Sequence, residues 1–384
     1  MALMSGSDAA LIANAVYRIQ SATTDARATQ LAQRRGTLNP PTTQPAISEN
    51  VTALAGMVGS SGAFVKETTG FGMVLERGPS SNRELIVSIR GTQTTSDWLS
   101  NFNIGFEPGP SGSIVHAGFN RIYKSLQGEL SRVISNANPT KIHFCGHSLG
   151  GALATLAAVD FAGGRRIPSY LYTFGAPRVG SFGLLQTLRT CLPFDQVRRV
   201  YALSDPVPMI PLLPFMHFGT GSAGISAGYQ SITPDAHSMD KTYIPRMPAT
   251  GWPPIRAMPN KSDPDYWLDQ ADKASGWGSS LGYWCLGKAL EAMMDKLNVL
   301  GFGLSVGMTV LDRIIQAMEH AVRLVASIGE TVIRWVKTAM RMVGMAVSAT
   351  FSAAQVTREF LRYVLDLLMQ PVIIAAKSAV NKLV

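Results

Sequence analysis

The chain has 384 residues, with 34 Lys and Arg against 25 Asp and Glu, a formal net charge of +9 and a pI near 9.6. One large or two domains with an ample core fit that length, and 15% charged residues with a mean hydropathy of +0.13 is apolar for a soluble protein. The basic excess favours anionic partners. The absence of any dense Lys/Arg run or nucleic-acid motif excludes nucleic acid as the expected one, and three cysteines exclude a disulfide framework.

In chain order, residues 7–36 are expected to form an amphipathic helix capped by Ser7 or Asp8. The first twenty residues lack a basic stretch followed by a continuous apolar run, so no cleaved secretion signal is expected. The expected location is the cytoplasm, or outside it by a signal-independent route. Residues 37–48, with Pro40, Pro41 and Pro45, read as a linker. Residues 64–77 alternate as a strand or hairpin, and 84–90 form a buried strand. A helix follows over 118–136, then strands over 142–145, 169–174 and 197–203. Strands alternating with helices predict a mainly parallel α/β sheet. The proline-rich segment 206–214 falls where such a sheet ends its strands and places its site.

Beyond residue 246 the character changes. Residues 247–264 are proline-rich and read as a linker. Met308, Leu311, Ile315, Met318, Val322 and Val325 then recur at alternating three- and four-residue steps, a helical seam. Pro371 should break or start a helix. The uncharged or nearly uncharged runs 297–311 and 342–357 fall just short of the roughly 18 residues of a spanning helix. Gly303 and Gly307, then Gly344, Ser348 and Ser352, supply the small-residue spacing of closely packed helices. Two readings stand: helices packed on the α/β domain, or helices that engage a membrane. The expected organisation is an N-terminal helix and linker (1–50), an α/β domain (51–245), a proline-rich linker (246–275) and a helical extension (276–384). That extension also offers a face for self-association or a protein partner.

The most specific chemistry lies in KIHFCGHSLGGALATLAAVDFA, residues 141–162. Gly146-His147-Ser148-Leu149-Gly150 fits G-x-S-x-G between an apolar strand and a Gly-, Ala- and Leu-rich helix. Such a strand, sharp turn and helix form a nucleophile elbow that presents the serine above the sheet. Cys145 reads as a small buried core residue. No His or Cys spacing suits a metal, and no cofactor is implied.

Four more segments carry a resemblance. Ser88-Ile89-Arg90-Gly91-Thr92 followed by Asp97-Trp98 resembles the "RGT…DW" stretch of class 3 lipases; Val115-His116-Ala117-Gly118-Phe119 resembles their "VHxGF". Residues 172–180, YTFGAPRVG, are similar to their "TFGxPRVG", and Asp205-Pro206-Val207-Pro208 to the segment carrying their acid. The resemblance spans roughly residues 60–243, in the family's order. It implies an α/β-hydrolase with a mainly parallel central sheet, here followed by a C-terminal helical extension.

It also implies an ester hydrolase with Ser148 as nucleophile and Asp205 as acid, Asp195 being the weaker rival because it precedes the strand. Two histidines compete for the base. His237 opens HSMDKTY, like the family's base segment; His217 sits in FMHFG, like a non-catalytic family segment. His237 is favoured, although less chain separates it from Asp205 than in the fungal enzymes. The N–H of Leu149, and by resemblance Thr92, would hold the oxyanion. By analogy a lid would lie over 94–106, with Trp98, Leu99 and Phe102 as its apolar face; a fixed surface helix is the other reading. The expected substrate is a lipid ester, acylglycerol or phospholipid, with an anionic membrane surface as partner. Delivery as an antibacterial type VI secretion phospholipase is one alternative. A non-catalytic scaffold that docks a partner or membrane through its helices is the other.

Overall fold

The computed structural model describes residues 3–34, 37, 38, 47, 50–61, 67–91, 105–211, 215–217, 222–255, 262–274, 276, 278–297, 310–324, 326–348 and 350–383. Its strands are β1 (Thr52–Ser61), β2 (Glu67–Arg77), β3 (Glu84–Ile89), β4 (Phe106–Pro108), β5 (Ile114–His116), β6 (Lys141–His147), β7 (Ser169–Phe174), β8 (Val197–Ala202) and β9 (Ser222–Ile225). Seven of them form one sheet in the order β1-β2-β3-β6-β7-β8-β9. The steps from β3 through β9 are parallel, and β1, β2 and β3 pair antiparallel. β4 and β5 make a separate antiparallel pair. The sheet is mainly parallel, an α/β-hydrolase fold as expected. β1 was not anticipated: its sequence, TALAGMVGSS, is too poor in β-branched residues to read as a strand.

Both faces of the sheet are covered, because alternate strand residues bury into different cores. Val74, Leu85, Val87, Ile142, Phe144 and Leu171 join the core under helices α3 (Ala117–Ala137), α4 (Leu149–Val159) and α5 (Phe182–Cys191). Met73, Leu75, Ile86, Cys145, Tyr172 and Val200 join the opposite core. That second core lies under α1 (Gly6–Ala15) and α2 (Asp25–Gln33). The single amphipathic helix expected over 7–36 is therefore two helices separated by a turn. α1 is capped by Ser5, whose Oγ accepts the Asp8 N–H at 3.0 Å, rather than by Ser7 or Asp8. α1 is buried on most sides, between the sheet and the chain near Gly251, whose carbonyl accepts the Gly6 N–H at 2.8 Å.

The described parts of the stretch 246–275, expected as a linker, are packed. Trp252 stacks at 5.2 Å on Tyr172 and donates to the Met4 carbonyl at 2.8 Å. Pro264, read as part of the linker, instead starts α6 (Pro264–Lys273), as proline favours the first helical turn. After it come α7 (Ser280–Lys296), α8 (Val310–Leu324), α9 (Ala326–Met342) and α10 (Arg358–Asn381). Their apolar faces belong to the same core as α3–α5. Trp284 on α7 donates to the Leu203 carbonyl at 2.8 Å, and Glu291 pairs with the buried Arg178 at 3.0 Å. α10 packs on the turns Val207–Met209 and Pro234–His237.

Two helix expectations fail here. Pro371 lies inside α10 instead of ending it: its missing N–H costs one bond, but Leu368, Met369, Val372 and Ala376 on both sides of it are buried. Among the described residues of 343–357 only the short 3-10 turn Ala353–Gln355 is helical, because α9 stops where Gly344 takes φ +77. The spacing of Gly344, Ser348 and Ser352 therefore marks no helix face. Gly303, Gly307, Met308 and Val325 lie outside the described residues.

Candidate active site

The elbow is built by glycines that nothing larger could replace. A Cβ on Gly146 would lie 2.2 Å from the Gly150 carbonyl oxygen, and one on Gly150 would lie 2.0 Å from that of Ile89. The helix can thus start directly against β3. Ser148 sits between β6 and α4 at φ +58, a strained conformation for a residue with a side chain. Its N–H donates to the Phe174 carbonyl at 2.9 Å, and its own carbonyl accepts from Gly151 at 2.9 Å. Leu149 is the first residue of α4, a position whose N–H has no acceptor within the helix.

At the end of β8 the chain turns, and Asp205 is buried. Three donors converge on its carboxylate: the Val207 N–H at 2.9 Å, His237 Nδ1 at 2.8 Å and the Tyr243 hydroxyl at 2.5 Å. His237 ends the short turn Pro234–His237, and Tyr243 follows one π-type turn later, so one segment supplies both. Burial, then Asp205, push the Tyr243 phenol well above its ordinary range and keep it a donor. Gly175, at φ +56, gives this cluster its room: a Cβ there would meet Asp205 Oδ2 at 2.7 Å and His237 Nδ1 at 3.0 Å.

Asp205 accepts at His237 Nδ1, so that nitrogen carries the proton and Nε2 presents a lone pair. Ser148 Oγ and His237 Nε2 are both buried, and neither has a hydrogen-bond partner among the described residues, the other of the two included. Buried polar atoms are ordinarily paired; here the two that a nucleophile–base pair would use are unspent.

The other candidates sit elsewhere. His217 Nε2 donates to the Pro208 carbonyl, its ring lies 6.1 Å from Trp284, and burial followed by Arg199 and Arg178 hold its pKa well below the usual range. Asp195 is in a turn before β8, at the opposite end of that strand from Asp205. His116 caps α3 by accepting the Phe119 N–H at 3.4 Å, and His143 contacts Tyr172 at 3.0 Å. Thr92, Asp97, Trp98, Leu99 and Phe102 lie outside the described residues, as does most of the expected lid. Gly91, just before Thr92, is held at both ends: its N–H donates to the Tyr17 hydroxyl at 3.1 Å and its carbonyl accepts from Arg90 at 2.6 Å. Tyr243 and Tyr17 were missed in the sequence. Tyr243 had a weak signal, six residues after the histidine in one segment; Tyr17 had none.

Residues 86–215 match the family model described as Lipase (class 3). The chain is 33% identical over 194 residues to the secreted mono- and diacylglycerol lipase 1 of Fusarium solani, covering 47% of this chain and 53% of that protein. It is 25% identical over 174 residues to phospholipase A1-IIalpha of Arabidopsis thaliana, covering 36% and 41%. The mono- and diacylglycerol lipase structure from Aspergillus oryzae aligns at a TM-score of 0.41 and 21% identity, over 56% of this chain and 76% of that one. The chain spans about half the length of the curated lipases it matches. The ordered motifs and the elbow fall largely within residues 86–215, the part of the chain that is similar to class 3 lipases.

Proposed function

We propose that the protein hydrolyses carboxyl esters of lipids through an acyl-enzyme, with Ser148 as nucleophile, His237 as base and Asp205 as the group that orients the base. The observation that carries this reading is that Ser148 Oγ and His237 Nε2 are both buried and unpartnered among the described residues, with His237 Nδ1 committed to Asp205 at 2.8 Å. Ser148 Oγ attacks the ester carbonyl carbon while its proton passes to His237 Nε2. The oxyanion that forms is held by the Leu149 N–H and by Thr92, the latter carried over from the family resemblance. Each such donor contributes about 2.7–4 kcal/mol of transition-state stabilisation. His237 then protonates the departing alcohol, and water repeats the sequence to release the acid. Tyr243 and the Val207 N–H keep the carboxylate of Asp205 fixed, so the imidazole holds one tautomer.

Acylglycerol and phospholipid esters both fit, since the named relatives include a mono- and diacylglycerol lipase and a phospholipase A1. The net charge of +9 favours an anionic lipid surface. The test is hydrolysis of soluble p-nitrophenyl esters and of acylglycerol and phospholipid dispersions, with Ser148→Ala as control. Turnover should fall by several decades, up to about 10⁶, with folding retained and fluorophosphonate labelling abolished. A purified Ser148→Ala protein that keeps its turnover refutes the reading. Mass spectrometry of the released acids distinguishes the two substrate classes.

A further inference from the structure

We propose that Tyr17 and His147, neither of them in the triad, are positioning residues that lock the start of the oxyanion loop to the catalytic base. This rests on the hydrolase reading above. The observation is a hydrogen-bonded chain through three distant segments. Tyr17 follows α1 in the turn Val16–Ile19 and lies outside the matched region 86–215. Its hydroxyl accepts the Gly91 N–H at 3.1 Å and lies 2.9 Å from His147 Nδ1. His147 Nε2 lies 2.8 Å from the backbone carbonyl of His237.

Elementary valence fixes the direction of every bond. A carbonyl only accepts, so His147 Nε2 carries the proton. Burial, then the neighbouring His237, hold the His147 imidazole well below its ordinary pKa, so it is neutral and Nδ1 is a bare acceptor. Nδ1 therefore takes the Tyr17 proton, which burial keeps in place by raising the phenol pKa. The Tyr17 oxygen is left to accept from Gly91. The chain runs Gly91 N–H to Tyr17 O–H to His147 Nδ1, and His147 Nε2–H to the His237 carbonyl.

Space makes the link tight. A Cβ on Gly91 would meet Tyr17 Oη at 2.8 Å and Ser148 Cβ at 3.1 Å, so Gly91 is pressed between the tyrosine and the nucleophile. The His147 and His237 rings lie 4.5 Å apart. Gly91 leads straight into Thr92, and His147 is the residue before Ser148. Tyr17 therefore fixes Gly91, the residue before the proposed second oxyanion donor, and His147 fixes the backbone that carries the base. Tyr17 reaches the base only through His147, and His147 bears on the His237 ring and carbonyl without bonding its reacting nitrogen. Misplacing such groups by 1 Å can cost about 10²-fold in rate.

The test uses the full chain with Tyr17→Phe, His147→Gln and the double substitution. Phenylalanine keeps the ring and removes only the hydroxyl. Glutamine can still offer an N–H to the His237 carbonyl, but its amide oxygen sits on a flexible side chain and does not hold the Tyr17 hydroxyl as the fixed imidazole Nδ1 does. Active sites are counted by fluorophosphonate labelling, and kcat and KM on a soluble p-nitrophenyl ester are expressed per labelled site, with a melting curve for each protein. Tyr17→Phe should lower kcat per labelled site by about 10–100-fold with KM almost unchanged. His147→Gln should fall in the same range, and the double variant should be no slower than the worse single one, because both break one link. A Tyr17→Phe protein with wild-type kcat per labelled site, or additive losses in the double variant, overturns the proposal even if the melting temperature drops. Should Tyr17→Phe fail to fold, His147→Gln alone carries the same decision on kcat per labelled site. A wild-type protein that neither labels nor hydrolyses the ester defeats the hydrolase reading itself; wild-type labelling with an unchanged Tyr17→Phe rate defeats only this inference.

Discussion

Six histidines occur in the chain, and burial and hydrogen-bond partners sort them. His237 has one nitrogen on a carboxylate and the other unpartnered among the described residues; His217 uses its Nε2 on a backbone carbonyl and leans on Trp284. Replacing His237 by alanine should cost ester turnover by several decades, as for Ser148→Ala. His217→Ala should leave turnover per folded molecule within a few-fold of wild type. It should instead lower stability by about 1–3 kcal/mol, from the lost hydrogen bond and the void beside Trp284. Active-site titration combined with urea unfolding of both proteins checks this. A His217→Ala protein that is stable but inactive would reverse the assignment.

At the scale of single elements, His116 joins β5 to α3 and is buried. Burial, then Arg121, push its imidazole from 6.5 down to about 3. In the unfolded chain the same group titrates near 6.5. Between those values the unfolded chain binds more protons, so the contribution is complete above about pH 6.5 and is lost as pH falls toward 3, at about 1.4 kcal/mol per pH unit. His143, pushed by burial and Arg77 to about 4, acts in the same direction. His116→Asn keeps an acceptor for the helix cap and removes the titration. Its unfolding free energy between pH 6 and 4 should therefore fall less steeply than that of the wild type; parallel slopes would refute the account. In α10, Pro371 is exposed and removes a backbone bond to Leu367. Pro371→Ala should raise stability by about 1–2 kcal/mol, the restored bond outweighing the freer unfolded chain, as a denaturation midpoint would show.

For the whole molecule, the question is what the C-terminal helices do. Among the described residues one helix, α10, is long and apolar enough to cross a membrane. Yet Leu361, Val364, Leu365, Leu368 and Val372 on it are buried in the shared core, and its outer face carries Arg362, Asp366 and Gln370 beside Tyr363 and Ile374. α10 also rests on the turn Val207–Met209 that follows Asp205 and on the turn that ends at His237. Deleting residues 358–384 should therefore depress the melting temperature and reduce turnover on a soluble ester and on anionic vesicles together, because an apolar core face is exposed and both loops lose their support. Loss confined to vesicles, with the soluble ester and melting temperature intact, would instead assign α10 to membrane engagement.

The strand, turn and helix around Ser148 and the parallel strands beside them were legible in the sequence because each is local, whereas the choice of Asp205 rested on a family resemblance. Gly146, Ser148 and Gly150 sit within five residues, and a strand or helix period is written into its own segment. The choice of His237 over His217 rested on the same resemblance. α7 beyond the linker could be foreseen as helical, but not its docking, since the Trp284–Leu203 bond joins residues 81 apart. Pro371 and residues 343–357 were misread because burial on a neighbouring element, or one glycine at positive φ, overrides local preference. Tyr17 and His147 were beyond reach for a plainer reason. They stand 130 residues apart, and a hydrogen bond between a buried hydroxyl and a buried imidazole has no sequence period. Only the packing of α1 against the sheet brings them together.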